Sequence, residues 1–320
     1  MDSETAELTR HARAALNSTG RTHGRAQGDA PRFELFHAAS SICSQKVRAV
    51  LAHHDLPYVE HELSIFAGQT YLPGYVRLRM KGCERYGGAL ASRHDGGTSV
   101  AAGGCDGAVV PTLVDWLTGK VIIDSKRICR HLDDQAPSGS SLRPAALAAD
   151  IDEQLVIVDD LPNYQMLMGR TVGGGEAAAT RDGVGGALSL KKVGWCDRHL
   201  RDHAEDPVLV AAYTAKRAKE LSAATHLFGP DAMRSAYARV ELALAALDRK
   251  LADRPTPWLH GDRLTMSDLF WGVELLRMRN VGSAHLWEDG RAPHVERFAQ
   301  AAERMPAIRT AVVDWPGAMF

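Results

Sequence analysis

The sequence lacks the features that mark membrane proteins, secreted disulfide scaffolds and nucleic-acid-binding proteins. No apolar run approaches the ~18–20 residues of a membrane-spanning helix. The net charge is only −1, so neither a membrane nor a nucleic acid is an expected partner. Five scattered cysteines in 320 residues do not form a disulfide framework, which favours a reducing, cytoplasmic location. The composition, 45% apolar and 24% charged, is that of a globular protein of about two domains.

The first 31 residues contain few large apolar side chains and many Arg, His, Gly, Ser and Thr residues. They have no apolar stretch typical of a secretory signal, and the acidic Asp2, Glu4 and Glu7 argue against an organelle transit peptide. We expect residues 1–31 to form a mobile N-terminal tail, with at most a short helix over residues 4–16.

A serine and a cysteine mark the start of the first helix after a predicted strand, Phe33–Phe36. In the first turn, Cys43 would face unpaired N–H groups and the positive end of the helix dipole, and Lys46 and Arg48 follow closely. Each of these lowers a thiol pKa and favours the reactive thiolate. Ser41 can cap the helix or donate to a bound anion. The simpler interpretation, a buried cysteine and an ordinary cap, stays open on these residues alone.

The next segments predict a β-α-β-α-β-β-α domain over residues 32–134. Val59–Leu63 alternates as a half-buried strand, and the crossover makes it parallel to the first strand. Residues 81–107 form a Gly-rich insertion, which we expect to be solvated and to hold no metal because no paired ligand spacing occurs in it. Pro111 precedes a strand and is best accommodated by a cis bond after Val110. Asp124-Ser125 is typical of a helix cap.

Strand patterns stop after the first domain. Residues 135–145 are rich in Pro, Gly and Ser and predict a linker. Residues 146–320 predict an all-helical second domain, with a glycine- and alanine-rich loop over 171–186. Thr265–Asp268 has the spacing of a capping box before an apolar helix. The expected fold class is therefore α/β followed by all-α.

The order of these features resembles the glutathione transferase superfamily over about residues 32–312. The resemblance implies a thioredoxin-like N-terminal domain that binds glutathione and an all-helical substrate domain. Ser41–Ser44, with Lys46 and Arg48, is similar to the reductive dehalogenases of chlorinated hydroquinones. The likeness is greater to the dichlorohydroquinone dechlorinases than to the tetrachlorohydroquinone dehalogenases. Three further stretches extend it, residues 75–78, 109–113 and 307–315, whereas the 81–107 insertion departs from it.

The resemblance also implies roles for single residues. Pro111 would present the backbone of Val110 to the cysteinyl part of glutathione, and Asp124 and Ser125 would hold the γ-glutamyl end. Ser41 would donate to the glutathione sulfur and stabilise its thiolate. Glutathione is then a cosubstrate, with no metal, and a homodimer is expected by analogy.

The implied reaction has two displacements. The glutathione thiolate attacks a small chlorinated aromatic ring and chloride leaves. Cys43 then attacks the glutathione sulfur, releases the reduced hydroquinone and forms a mixed disulfide, which a second glutathione resolves. On the first helix of the second domain, Tyr164, Met166 and Met168 are candidates for the ring pocket, although plain core packing is the simpler interpretation.

Two classes of alternative stay open. The chain could be another glutathione-dependent enzyme: a β-aryl etherase, a maleylacetoacetate-type isomerase or a glutathionyl-conjugate reductase. The etherase and isomerase reactions do not need Cys43. It could also be a non-catalytic, transferase-like binding protein, against which the complete set of site residues argues.

Overall fold

The computed structural model describes residues 3–24, 31–87, 89–97, 104–136, 139–169 and 182–318. The chain forms a five-stranded sheet near its N-terminus, and helices follow to the C-terminus. The predicted α/β plus all-α fold class is thus confirmed.

The sheet has the thioredoxin-like arrangement. Its strands are β1 (Arg21–His23), β2 (Phe33–His37), β3 (Tyr58–Glu62), β4 (Thr112–Asp115) and β5 (Lys120–Ile123), in the spatial order β1-β3-β2-β4-β5. Strands β2 and β3 are parallel, and the other neighbouring pairs are antiparallel. Helices α2 (Ile42–His53), α3 (Pro73–Glu84) and α4 (Ser125–Asp133) connect or follow these strands. The parallel β2-α2-β3 unit and the β4-β5 hairpin agree with the sequence prediction.

The N-terminal segment contains the short helix predicted over residues 4–16, but this helix is packed against the first domain and is not part of a mobile tail. Residues Ser3–Leu16 form helix α1, which packs against α3 closely enough that a Cβ on Gly74 would lie 2.6 Å from the carbonyl oxygen of His11. Strand β1 extends the sheet beyond β3, and Arg13 Nε donates to Glu34 Oε1 at 2.7 Å. The prediction rested on the low apolar content, but small residues on α1 and ion pairs to the sheet hold the segment in place.

The 81–107 insertion is anchored at both ends. The prediction of a solvated loop is wrong for these ends. Cys83, Cys105 and Asp106 are buried. Residues 89–91 and 105 exchange backbone hydrogen bonds, from Cys105 N to Ala89 O at 2.7 Å and from Ala91 N to Cys105 O at 2.8 Å. Burial and this short pairing hold the described residues at the two ends of the insertion in place.

The second half of the described chain is helical. Its helices are α5 (Ala148–Asp160), α6 (Asn163–Met168), α7 (Asp182–Asp202), α8 (Pro207–His226), α9 (Pro230–Ala252), α10 (Met266–Asn280), α11 (Pro293–Arg304) and α12 (Pro306–Ile308). A π-helical turn over Arg309–Val313 follows. The predicted 171–186 loop falls mainly on residues outside the described ones, and its last residues, from Asp182, belong to α7. No helix among the described residues is long and apolar enough to cross a membrane.

Three helices of this half, α7, α8 and α10, border the cavity between the sheet and the helices. The capping box at Thr265 and Asp268 sets the start of α10, which lies against α2 and α5. Helices α7 and α8 form a hairpin that packs on α3. Just before α3, the carbonyl of Tyr71 accepts a hydrogen bond from Tyr213 Oη of α8 at 2.6 Å. The hairpin therefore covers the side of the cavity where the 81–107 insertion ends.

Candidate active site

One cavity between the sheet and the helices brings together the six predicted catalytic and glutathione-binding residues. Its volume is about 230 Å³. The predicted residues that line it are Ser41, Cys43, Val110, Pro111, Asp124 and Ser125. They come from the starts of α2, β4 and α4, which meet at one end of the sheet, and the Val110–Pro111 bond is cis, as predicted.

Ser41 is the N-cap of α2. Its backbone is extended, and its Oγ accepts a hydrogen bond from the N–H of Ser44 at 3.3 Å. Because this bond uses an oxygen lone pair, the hydroxyl hydrogen is available to a partner in the cavity. Capping and donation to a bound anion, offered as alternatives by the sequence, are therefore compatible.

Cys43 lies in the first turn of α2, but its thiol does not have the lowered pKa that its position predicts. Burial is the largest influence and raises the pKa of Cys43, while the Lys46 charge and a hydrogen bond from Ser125 lower it by less. Arg48, which the sequence also placed beside the thiol, points elsewhere and donates to the carbonyl of Ala39 at 3.1 Å. The thiol is thus the favoured form at neutral pH, and the thiolate has two stabilising partners once it forms.

Lys46 belongs to a buried charge network below Cys43. Its Nζ lies 3.4 Å from Asp159 Oδ1 and 4.8 Å from the centre of the Phe270 ring. Lys126 contacts the other carboxylate oxygen of Asp159 at 3.1 Å. Burial alone would lower the pKa of Lys46, but Asp159 and other acidic neighbours raise it. The lysine is therefore a fixed positive charge under the cavity.

Asp124 does not cap α4, which corrects the simplest interpretation of the Asp-Ser pair. Its backbone has a φ of 67°, an uncommon conformation for a residue other than glycine, and its carboxylate makes no capping hydrogen bond. Instead Arg79 donates to Oδ1 at 3.3 Å and Arg127 to Oδ2 at 2.9 Å. Burial raises the pKa of Asp124 against the effect of both arginines. Such a strained backbone in a cavity wall is a common mark of a binding site.

The helical half contributes wall residues that sequence reasoning identified only in part. Tyr164 and Met168 line the cavity, whereas Met166 is 4% exposed and part of the core. Lys192, Lys216, Lys219 and Glu220 of the α7–α8 hairpin also line it, with Arg277 of α10. On the sequence these charges look like the solvated faces of helices, so no local signal identified them. Among the described residues no group of three or more side chains is arranged to hold a metal ion.

Comparison with known proteins agrees with this geometry. Residues 40–135 match the family model "Glutathione S-transferase, N-terminal domain", and residues 211–301 match "Glutathione S-transferase, C-terminal domain". Two proteins from Sphingobium indicum, each named 2,5-dichlorohydroquinone reductive dechlorinase, are 37% identical over 290 residues. These alignments cover 90% of this chain and 84% of each relative.

The chain belongs to the glutathione S-transferase family. Solved structures share its fold at low sequence identity. The β-etherase LigF from Sphingobium sp. strain SYK-6 has a TM-score of 0.58 at 16% identity, covering 88% of this chain and 98% of that one. Ure2p in complex with glutathione has a TM-score of 0.50 at 17% identity, covering 89% and 95%.

Proposed function

We propose that this glutathione S-transferase is a glutathione-dependent reductive dechlorinase of chlorinated hydroquinones. The observation that carries the proposal is that the Ser41 hydroxyl and the Cys43 thiol line the same cavity. Reductive dechlorination by two thiols needs one group that stabilises the glutathione thiolate. It also needs a second sulfur that removes the glutathione sulfur from the ring. The 37% sequence identity to relatives named 2,5-dichlorohydroquinone reductive dechlorinase supports chlorinated hydroquinones as the substrate class.

Glutathione binds at the end of the sheet. The backbone of Val110 pairs with its cysteinyl part, and Asp124 with Ser125 holds the γ-glutamyl end. Ser41 donates its free hydrogen to the glutathione sulfur and stabilises the thiolate. The thiolate then attacks the chlorine-bearing carbon of the substrate in its ketone tautomer, so that a C–S bond forms, the C–Cl bond breaks and chloride leaves with the bonding electron pair.

Cys43 performs the second displacement. Its thiolate attacks the glutathione sulfur, the S–S bond forms and the C–S bond breaks. The electron pair passes to the ring, which takes up a proton and becomes the reduced hydroquinone. A second glutathione attacks the mixed disulfide and restores Cys43. One C–Cl bond thus becomes C–H, while two glutathione molecules become one glutathione disulfide and HCl.

The raised pKa of Cys43 suits this order of steps. A protonated thiol does not compete with glutathione for the chlorinated ring in the first displacement. Once the conjugate is bound, Lys46 and Ser125 stabilise the thiolate needed for the second.

The test is an anaerobic incubation with glutathione and dichlorohydroquinone, in which chloride and products are followed by ion analysis and mass spectrometry. We expect the wild type to release chloride and the reduced hydroquinone. Cys43→Ser should release chloride but stall at a glutathionyl-hydroquinone. Cys196→Ala, which changes a buried cysteine on α7 outside the cavity, is the matched control and should complete the reaction.

Other outcomes select the alternatives. If a fully active Cys43→Ser enzyme forms the reduced product, the second displacement does not use Cys43. If the wild type releases no chloride, aryl ethers and glutathionyl conjugates become the next substrates to test. Glutathione binding without turnover of any of these would identify a binding protein.

We further propose a cytoplasmic homodimer whose domain boundary is the linker over residues 135–145. The five cysteines are all free thiols in the structure, which fits a reducing compartment. Light scattering tests the dimer, and limited proteolysis that cleaves within 135–145 tests the boundary. A monomer in solution would contradict the first of these proposals.

A further inference from the structure

Two buried cysteines lie in contact at the ends of the 81–107 insertion. Cys83 belongs to the last turn of α3, where the insertion begins, and Cys105 lies near the other end of the insertion. Cys105 Sγ is 4.0 Å from the carbonyl oxygen of Cys83, and the two thiols share a hydrogen bond. Both are free thiols, and neither lines the cavity of the candidate active site. The proposed reaction therefore leaves this pair without a role.

The fold holds the two cysteines together on the protein side and along the backbone. Both pack in one apolar cluster with Val76, Met80 and Ile123. The backbone of Cys105 is fixed by its hydrogen bonds with the short segment over residues 89–91. A disulfide requires two cysteines whose side chains already face each other. The hydrogen bond between the thiols meets this requirement.

The two thiols have opposite acidities. Their shared hydrogen bond is the largest influence on both, and it lowers the pKa of Cys105 and raises the pKa of Cys83. Burial opposes the shift at Cys105, whereas Arg127, whose Nη1 lies 3.9 Å from Cys105 Sγ, supports it. Of the five cysteines, all of which the structure describes, Cys105 alone has a lowered pKa. Cys105 is therefore the nucleophilic sulfur of the pair, and Cys83 keeps its proton.

We propose that Cys83 and Cys105 form an intramolecular disulfide when the protein meets a peroxide, with Cys105 oxidised first and Cys83 as the resolving thiol. A thiolate next to a second thiol is the arrangement in which a sulfenic acid passes on to a disulfide. Both side chains are at most 2% exposed, which favours a small oxidant such as hydrogen peroxide. Hydroquinones, the substrate class of the proposed function, generate this oxidant when dioxygen converts them to quinones.

The oxidation takes two steps. The Cys105 thiolate attacks one oxygen of hydrogen peroxide, so that an S–O bond forms, the O–O bond breaks and hydroxide leaves. The Cys83 sulfur then attacks the Cys105 sulfur, the S–S bond forms and the S–O bond breaks. The departing oxygen takes the proton of Cys83 and leaves as water. The two sulfurs together lose two electrons, and the peroxide is reduced to two molecules of water once the first hydroxide is protonated.

The pair is one side chain away from the proposed glutathione site. Arg127 contacts Cys105 Sγ and also donates to Asp124 Oδ2 at 2.9 Å. Disulfide formation removes the negative charge of the Cys105 thiolate, so that Asp124 becomes the only anion of these two beside Arg127. Oxidation of the pair therefore changes the charge around a residue that is proposed to hold the γ-glutamyl end.

The test is peptide mapping of the wild-type protein. The protein is reduced, freed of reductant, treated with hydrogen peroxide and then denatured in N-ethylmaleimide, which blocks the thiols that remain. Trypsin places Cys83 and Cys105 on separate peptides, residues 82–85 and 94–120. We expect these two peptides to be joined after peroxide and to separate in dithiothreitol. The intact monomer should lose the mass of two hydrogen atoms.

Three variants assign the roles of the two sulfurs. Cys83→Ser should form no joined peptide and should leave a sulfenic acid on Cys105, which dimedone traps. Cys105→Ser should give neither product. Cys196→Ala, which changes a buried cysteine of α7, is the matched control and should form the joined peptide as the wild type does. The wild-type map remains decisive if a serine variant fails to fold.

Three results would overturn the inference: both thiols still free after peroxide, Cys105 oxidised to a sulfinic acid beside a free Cys83, or a disulfide-linked dimer in place of the cross-linked monomer. The test contains neither glutathione nor a chlorohydroquinone. Its result is therefore independent of chloride release, which decides the proposed function, and the two proposals can fail separately.

Discussion

The charge on Lys46 should control the second displacement but not the first. Lys46 is fully buried below Cys43, and its charge lowers the pKa of a thiol that burial otherwise raises. Lys46→Met removes this charge at nearly constant volume. Asp159 keeps a partner, because Lys126 lies 3.1 Å from its second oxygen. The substitution therefore acts on the thiol and leaves Asp159 paired, while the buried Glu274 loses a positive charge that lowers its pKa.

The size of the effect follows from two opposing terms. An opposite charge within about 4–6 Å moves a pKa by about 1–3 units, and a rise of about two units would reduce the thiolate fraction about 100-fold. The remaining thiolate is a better nucleophile, and a Brønsted coefficient of about 0.4–0.5 recovers roughly 6- to 10-fold of that loss. The net prediction is that Lys46→Met slows attack by Cys43 about tenfold.

Rapid quench followed by mass spectrometry measures both steps in one reaction. In Lys46→Met, chloride should appear at the wild-type rate, while a glutathionyl-hydroquinone accumulates before the reduced product forms. Alkylation of Cys43 against pH should show the raised thiol pKa directly, with Cys43→Ser subtracting the signal of the buried cysteines. Lys126→Met, which changes the other partner of Asp159, should show neither effect. An unchanged alkylation profile and no intermediate in Lys46→Met would refute the electrostatic role of this lysine.

Three further changes test other parts of the site. Asp268→Ala removes the buried carboxylate that accepts from Thr265 N at 2.7 Å and Thr265 Oγ1 at 2.6 Å, and urea unfolding should show a loss of about 3 kcal/mol. Burial raises the pKa of Asp268 to about 6, so the ionised form is disfavoured in the folded state. Stability should therefore increase as the pH falls from about 6 to about 4 in the wild type, and this increase should be smaller in Asp268→Asn. Asp124→Asn should weaken glutathione binding about tenfold or more by calorimetry, since a charge-assisted bond to the γ-glutamyl amine is lost; unchanged affinity would remove Asp124 from the site. Arg277→Met removes the bond to the Ser40 carbonyl at 2.6 Å and should lower kcat for chloride release more than it changes KM, because it frees the loop before α2.

The parts of the site that could be predicted from the sequence are those set by neighbours along the chain. Ser41 and Cys43 lie at a strand-to-helix junction, and Pro111 precedes a strand, so short-range patterns were enough to place them. The capping box at Thr265 and Asp268 is equally local, and the structure has both of its reciprocal hydrogen bonds.

The errors concern properties that depend on packing. The sign of the Cys43 pKa shift was wrong because sequence shows the helix dipole and nearby basic residues but not the depth of burial. Arg48 illustrates this, since its guanidinium turns to backbone carbonyls and away from the thiol. The helix at residues 4–16 was predicted, but its packing was not, because the contact between α1 and α3 joins residues far apart in the sequence. Lys192, Lys216 and Lys219 line the cavity, but no local sequence pattern indicated this because they lie far from the other site residues in the sequence.

The 81–107 insertion and the α7–α8 hairpin depend on each other for stability. Asp106 closes the insertion at residues 81–107, and its partners Lys216 and Lys219 lie about 110 residues later on α8. Without the hairpin, Asp106 would be a buried carboxylate with no counter-charge, and without Asp106 two buried lysines would lose a shared carboxylate; each loss typically costs about 3–5 kcal/mol. Removing either segment alone therefore destabilises the other. Because Lys216 and Lys219 also line the cavity, the shape of this part of the cavity and the stability of the two segments depend on the same ion pairs.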